Sequence, residues 1–472
     1  MRQDVGIYKQ KKSYYSDKAP YFPSAVFEEY PFNDRRIDKR NEVYASLRHV
    51  LRLLGLDSER FGTREWNPFG SFISPGKAVL LKPNFVKHSS ENAGVEGLIT
   101  HGSLIRAATD YVYIALKGKG RIVIADGPMD EGDFDEIARL TGLYEIKKFY
   151  KERANFDIEI YDLRQEQVIK KNEEIVKRIR LKGDPAGYTA IDLGKVSEFK
   201  KNTLDYSSLR GSECRHGIMS LHHNEGKDEY LISNTFLRSD VVINLPKMKT
   251  HKSSGVTLAL KNMVGITGDR NWLPHFSECP CHQGKVDPEK EIMKLLKKMF
   301  GLMKPLRDRL RQFVGVTEST IRSGNWYGND VIWRTIIDLA HIRCYADKNG
   351  VIRKDRQRRS FVIVDGIIAG EGDGPLNPFL KQCGVLIAGF NDFCVDITAS
   401  RLMGFDPTKI PKFKNISKDK THKLYNFDFK EIQCISNIKD WSKNLDEFKG
   451  RCLNFKPHYG WKGHIEVDDV KE

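Results

Sequence analysis

Short apolar runs punctuate the chain at 78–81, 122–125, 158–161, 241–244, 361–364 and 385–388. Several are apolar on consecutive residues rather than on every second one. That is the pattern of strands buried on both faces, as in a mostly parallel sheet. Helical periodicity occupies some of the gaps, over 103–116, 134–150 and 396–403. Strand and helix in alternation predict an α/β fold, with a mostly parallel central sheet and helices on both faces.

The rhythm also divides the chain. Residues 1–75 read as an irregular N-terminal extension with a helix near 42–54. Residues 76–270 carry the first part of the α/β core and 346–411 the second. Between them, 271–345 reads as a helical and loop insertion, and 412–472 as a small basic C-terminal tail with one strand at 431–435. No internal repeat or long low-complexity tract interrupts this order.

Polar or turn-forming residues follow most of the apolar runs: Lys82-Pro83-Asn84, Asp126-Gly127-Pro128, Pro246-Lys247 and Asp365-Gly366. In open α/β sheets, ligands sit beyond the carboxyl ends of the strands. Lys82, Asn84, Asp126, Lys247, Lys249, His251 and Asp365 are therefore expected to share one cleft.

Lys and Arg number 78 against 63 Asp and Glu, a formal charge of +15. That favours anionic partners without choosing among them. The basic clusters at 170–171, 297–298, 353–359 and 412–423 are interleaved with acids, and solvated faces account for them as well as a binding surface does. No RNA-recognition signature, zinc finger or basic zipper is present, so nucleic acid is not the expected partner. No apolar run reaches the length of a spanning helix. The start, MRQDVGIYKQKKSYY, lacks the apolar core of a secretory signal. Eight cysteines without a repeating spacing suggest reduced thiols and a cytoplasmic setting.

Four constellations could carry chemistry. In the first, Lys247, Lys249 and His251 alternate beyond a buried strand, so an extended chain puts them on one side. A helix expected from about Thr257 adds Lys261 and Asn262, and its N-terminus beside lysines suits an anion. Surface ion pairs are the alternative. In the second, Lys82 and Asn84 could hold an oxyanion or merely cap a turn, and Thr100-His101 could cap the next helix or reach the cleft. The third is acidic, with Asp126, Asp365, Glu371, Asp373 and Asp396 open to ion pairing, a divalent cation or a base role. The fourth, His275, Cys279, Cys281 and His282, has soft ligands at a spacing that is not a standard zinc knuckle; unmetallated thiols are expected. No dinucleotide fingerprint, phosphate-binding P-loop or serine elbow occurs, and no cofactor is implied.

One more stretch stands out. Residues 289–313, EKEIMKLLKKMFGLMKPLRDRLRQF, combine an apolar stripe with a basic remainder. They predict an amphipathic helix kinked near Pro305. It would either lie on the cytoplasmic face of an anionic membrane or pack its stripe on the sheet.

Several quoted segments are similar, in order, to the family catalogued as domain of unknown function 362. They are LLKPNFV (80–86), IADGP (124–128), HHNEGKDEYLIS (222–233), INLPKMKTHKSSGVTLALKNMVGITGDRNWLPH (243–275), SGNWYGNDVIWR (323–334), IVDGIIAGEGDGPLNP (363–378), GVLIAG (384–389) and VDITASRLMGFDP (395–407). The loop after Trp-Leu-Pro-His departs from the pattern, and nothing matches the cysteine run of an iron–sulfur cluster. The resemblance implies association with cell-surface polysaccharide pathways. The expected function is an enzyme acting on an anionic, sugar- or lipid-linked substrate. Lys82, Asn84, Asp126, Lys247, Lys249, Lys261 and Asn262 would bind it, and His251, His275 and Asp365 would carry acid–base chemistry, as in an epimerase. A non-catalytic module for an anionic polymer, lipid headgroup or nucleic acid is the alternative.

Overall fold

The computed structural model describes residues 3–92, 94–171, 174–201, 205–211, 215, 217–278, 321, 323–415, 422–424, 427–450 and 452–468. Ten strands form one mixed sheet. They are β1 (Val5–Lys9), β2 (Ala78–Pro83), β3 (Arg121–Asp126), β4 (Ile158–Asp162), β5 (Val241–Leu245), β6 (Lys247–His251), β7 (Gly255–Val256), β8 (Arg359–Glu371), β9 (Phe379–Gly389) and β10 (Cys434–Ser436). The order across the sheet is β10-β1-β9-β8-β5-β2-β3-β4, with β6 beside β8 and β7 beside β6. From β8 to β4 every pairing is parallel. β9 runs antiparallel to β8 and to β1.

Consecutive apolar residues do what the pattern requires. Val79, Leu81, Ile122, Ile124 and Ile243 enter one core, against the helices α1 (Glu42–Leu53), α2 (Gly102–Leu116) and α4 (Leu143–Ala154). Leu80, Val123 and Val242 face the other side, as do Val362 and Val364, towards α6 (Ile332–Tyr345) and α7 (Asp392–Met403). With both faces covered, each strand position buries an apolar side chain, worth roughly 1.5–3 kcal/mol apiece. The α/β fold with helices on both faces is thus observed. Among the described residues no helix is long and apolar enough to cross a membrane.

One expected helix is divided, and both ends of the chain join the central sheet. The helix expected over 134–150 is two, α3 (Phe134–Leu140) and α4, broken at Thr141 and Gly142. Gly142 has φ +64°, and a Cβ there would come 2.6 Å from the Ala19 Cβ, so the turn needs glycine on both counts. Within the N-terminal extension, β1 inserts between β9 and β10 with Val5 opposite Gly389. The C-terminal tail likewise supplies the edge strand β10. The helix expected at 289–313, with Cys279, Cys281 and His282, lies outside the described residues.

The connectivity fixes where a ligand fits. β2, β3 and β4 step outward in order; the chain then returns to lay β5 on the opposite side of β2. The order reverses between β2 and β5, and ligands in open α/β sheets lodge at the carboxyl ends of such a pair.

Candidate functional site

Lys82 near the end of β2, Asp126 at the end of β3 and Asn244 near the end of β5 meet at this reversal. Pro246, which has no N–H, sits where the ladder from β5 to β2 stops. The strand continues as β6 along β8 with Lys247 still in register opposite Asp365; the register shifts before Lys249, which lies opposite Gly370. All five β6 residues are buried. Lys247, Lys249 and His251 share a phase, as the extended pattern predicts, while Met248 enters the second core.

Beyond β7 the chain forms the short helix α5 (Leu258–Asn262), which brings Lys261 and Asn262 over the strand ends. Its start is strained: Leu258 has φ +56°, a conformation that costs on the order of 1–3 kcal/mol and persists only when its surroundings over-determine it. They do so here. Asp396 on α7 accepts from the N–H groups of Ala259 (2.7 Å) and Leu260 (2.9 Å). Lys412 Nζ donates to the carbonyls of Val256 and Thr257 at 3.0 and 3.1 Å, 3.9 Å from Asp396.

Asn262 joins the strands. Its amide donates to Lys82 O (3.1 Å) and Asn244 Oδ1 (2.8 Å) and accepts from Asn84 Nδ2 (3.0 Å) and Lys82 Nζ (3.3 Å). Lys82 Nζ stands 2.5 Å from Asp126 Oδ1, and Asp126 Oδ2 accepts from Phe85 N. Burial pushes Lys82 down and Asp126 up, against their mutual attraction. Space over this pair is closed by Gly265, where a Cβ would lie 1.9 Å from Asp126 Oδ1 and 2.7 Å from Lys82 Nζ. Gly265→Ala is expected to destabilise the protein by about 1–3 kcal/mol, as overpacking does. Urea unfolding of the two proteins checks this.

Lys247 and Asp365 are engaged with each other. Lys247 Nζ lies 3.1 Å from Asp365 Oδ2 and 2.7 Å from the Tyr15 hydroxyl, which donates to Asp365 Oδ1 at 2.5 Å. The His101 N–H donates to Asp365 Oδ2, and the His101 ring stacks on Tyr15 at 4.0 Å. This network is buried and internally satisfied. It ties the N-terminal segment to the core and leaves Asp365 occupied as an acceptor.

Lys249 and Lys261 have no carboxylate partner among the described residues. Lys249 Nζ donates to Asn84 Oδ1 (2.8 Å) and Leu98 O (2.5 Å), with no carboxylate partner among the described residues. Burial first, then Lys247, holds it well below the usual lysine range. Lys261, 8% exposed, makes no hydrogen bond or ion pair among the described residues. Burial, then the Arg270 and Lys412 charges, pushes it down to about 7. Arg270 spends its donors on the carbonyls of Gly127 and Pro128, 3.5 Å from Asp130.

Two imidazoles complete the group. His251 Nδ1 accepts from the N–H groups of Ser253 and Ser254, so its Nε2 carries the proton. His275 Nδ1 lies 2.8 Å from Leu273 O and must donate, which leaves Nε2 as an acceptor. Burial holds both below the usual histidine range, His275 at about 3, and after burial Lys261 is the largest influence on each. A neutral donor and a neutral acceptor thus stand beside an amine with no partner among the described residues.

Shape and chemistry diverge. A large cavity, about 1270 Å³, lies at the opposite, amino end of the strands, lined by Lys77, Arg238, Asp240, Arg358 and Arg359 among others. A much narrower one, bordered by Arg164, Glu166, Arg178 and Asn271, reaches Arg270 from outside. We place the site at the unpaired cations, because the carboxylates of the larger groove already have partners: Asp240 with Lys77, Asp347 with Arg353 and Asp57 with Arg60. Among the described residues no group of three or more His, Cys, Asp or Glu is placed to hold a metal ion.

The structure therefore brings together Lys82, Asn84, Asp126, Lys249 and Asn262. Lys261, His251 and His275 stand with Arg270, while Lys247 and Asp365 form a network of their own. Arg270, Asn244 and Tyr15 were not foreseen as members. Arg270 and Asn244 lie inside the quoted 243–275 segment, where a buried polar residue type was the available signal; Tyr15 had none. Glu371 pairs with Lys381 at 2.9 Å, and Asp373 lies 3.4 Å from His458.

A search of curated proteins found no match. A family described as Domain of unknown function (DUF362) matches residues 79–196 and 189–401, which span most of the central sheet and every residue of the cationic cluster. The chain belongs to the DUF362 family.

Proposed function

We propose that this protein is an enzyme acting on an anionic, carboxylate- or phosphate-bearing substrate. Lys261 and Lys249 hold the anion, and His251 and His275 move a proton. The observation that carries this reading is Lys261, a buried ammonium with no counter-charge among the described residues. Folding does not leave a charge uncompensated in a low-dielectric interior without another gain. An anion supplies that gain and brings the acid–base pair into use, since a negative charge nearby raises the proton affinity of an imidazole. The sugar- or lipid-linked carrier and the polysaccharide setting belong to the same proposal.

Inorganic phosphate, a sugar phosphate and a short-chain lipid phosphate are the probes. Each is added to the full-length protein while the melting temperature is followed. A ligand at about 100 times its Kd stabilises by roughly 2.7 kcal/mol, so a concentration-dependent rise is expected. It should persist in His251→Gln and disappear in Lys261→Met. A wild-type melting temperature indifferent to all three probes would refute the anion site. Enzymatic action is read separately: His251→Gln and His275→Gln should lose turnover while keeping the phosphate effect, and a binding module would show neither turnover nor its loss.

A further inference from the structure

The placement of Lys261 supports a covalent role, and this step rests on the anion site above. We propose that Lys261 forms an imine with the carbonyl carbon of its substrate, which makes the substrate class a carboxylate- or phosphate-bearing aldehyde or ketone. The amine has no acceptor or carboxylate among the described residues, so no existing bond has to break before its lone pair attacks. On α5 it is held by the Asp396 and Lys412 contacts rather than by its own head group. The two imidazoles are matched to the proton movements that imine formation requires. His275 Nε2 has a lone pair; His251 Nε2 carries a proton.

The step balances without a co-reactant. The Lys261 Nζ lone pair forms the C–N bond as the carbonyl π pair moves onto oxygen. One nitrogen-bound proton passes to His275 and the oxygen takes one from His251, which gives the neutral carbinolamine. His275 then delivers its proton to that hydroxyl, which leaves as water as the nitrogen lone pair closes the C=N bond, and the proton remaining on the iminium nitrogen returns to His251. Amine plus carbonyl gives imine plus water. The charged groups that bear on the amine are Arg270 and Lys412, with Lys249 and the two imidazoles close by in the same cluster. Burial first, and then the Arg270 and Lys412 charges, keep a large share of Lys261 unprotonated near neutral pH, as nucleophilic lysines require.

Pyridoxal 5′-phosphate, an anionic aldehyde, is the probe. Full-length protein is mixed with a stoichiometric amount, reduced with borohydride, digested and mapped by mass spectrometry. The expected result is one adduct, on the peptide bearing Lys261, at least about tenfold above any surface lysine because those remain protonated. Excess inorganic phosphate should suppress it, and Lys261→Arg, which keeps the charge, should abolish it. Labelling confined to surface lysines, with phosphate still raising the melting temperature, overturns the imine and leaves the anion site standing. If phosphate stabilisation is also lacking, the anion site falls with it.

Discussion

Lys261→Met is expected to make the protein more stable while removing its response to phosphate. Methionine keeps most of the apolar stem of the lysine and deletes a charge that has no partner among the described residues. The amine is held at about 7 against an ordinary 10.5. A displacement of that size corresponds to on the order of 4 kcal/mol of folding free energy at neutral pH. The sign follows from proton counting. Between about pH 7 and 10.5 the unfolded chain keeps a proton on Lys261 that the folded chain has released, so wild-type stability rises with pH across that window. The variant lacks this rise. Its advantage should be largest at and below pH 7 and vanish near 10.5. Urea unfolding of both proteins at neutral and alkaline pH measures it. A variant less stable than wild type at pH 7, or an advantage independent of pH, would show that Lys261 has a counter-charge after all.

The contrast with Lys247 gives that expectation its force. Both lysines are buried, and burial lowers the proton affinity of both. Lys247 has Asp365 and the Tyr15 hydroxyl within hydrogen-bond distance. The same fold that neutralises one lysine leaves its neighbour in the family segment open. Active sites accumulate such locally unfavourable groups, and stability is the usual sacrifice.

How far this was legible in the sequence depends on the range of the interaction. Local periodicity carried the strands at 78–81, 122–125 and 241–244, and alternation carried the shared phase of Lys247, Lys249 and His251. Convergence of Lys82, Asn84 and Asp126 followed from the rule about strand ends. What the chain could not display was pairing across hundreds of residues. β1 is five residues long, and its partner β9 lies some 380 positions away. Tyr15 reaches Asp365 across 350 positions. Asp365 was expected to act as a base because residue type was visible and its partners were not. The break at Gly142 was missed for a similar reason: the apolar periodicity of α3 and α4 runs on through it, and the requirement for glycine comes from Ala19.

The second large effect concerns Lys82 and Asp126. Both are buried, and Asp126 is the carboxylate that neutralises Lys82. Asp126→Leu leaves the Lys82 ammonium without a counter-charge and the Phe85 N–H without its acceptor. Breaking a buried pair from one side costs about 3–5 kcal/mol, largely through the charge left behind. Adding Lys82→Met removes that charge, so the double variant should recover most of the loss. It should keep a deficit of about 1–3 kcal/mol from the unsatisfied Phe85 N–H. A double-mutant cycle by urea unfolding reads this coupling, since the two groups touch and their effects should not add. Additive single effects would mean that the 2.5 Å contact carries no energy. The double variant also separates framework from receptor. Because Asp126 already compensates Lys82, phosphate stabilisation should survive in it as long as Asn262 still holds α5 through Asn84 and Asn244. Its loss in a folded double variant would move Lys82 from the framework into the anion receptor itself.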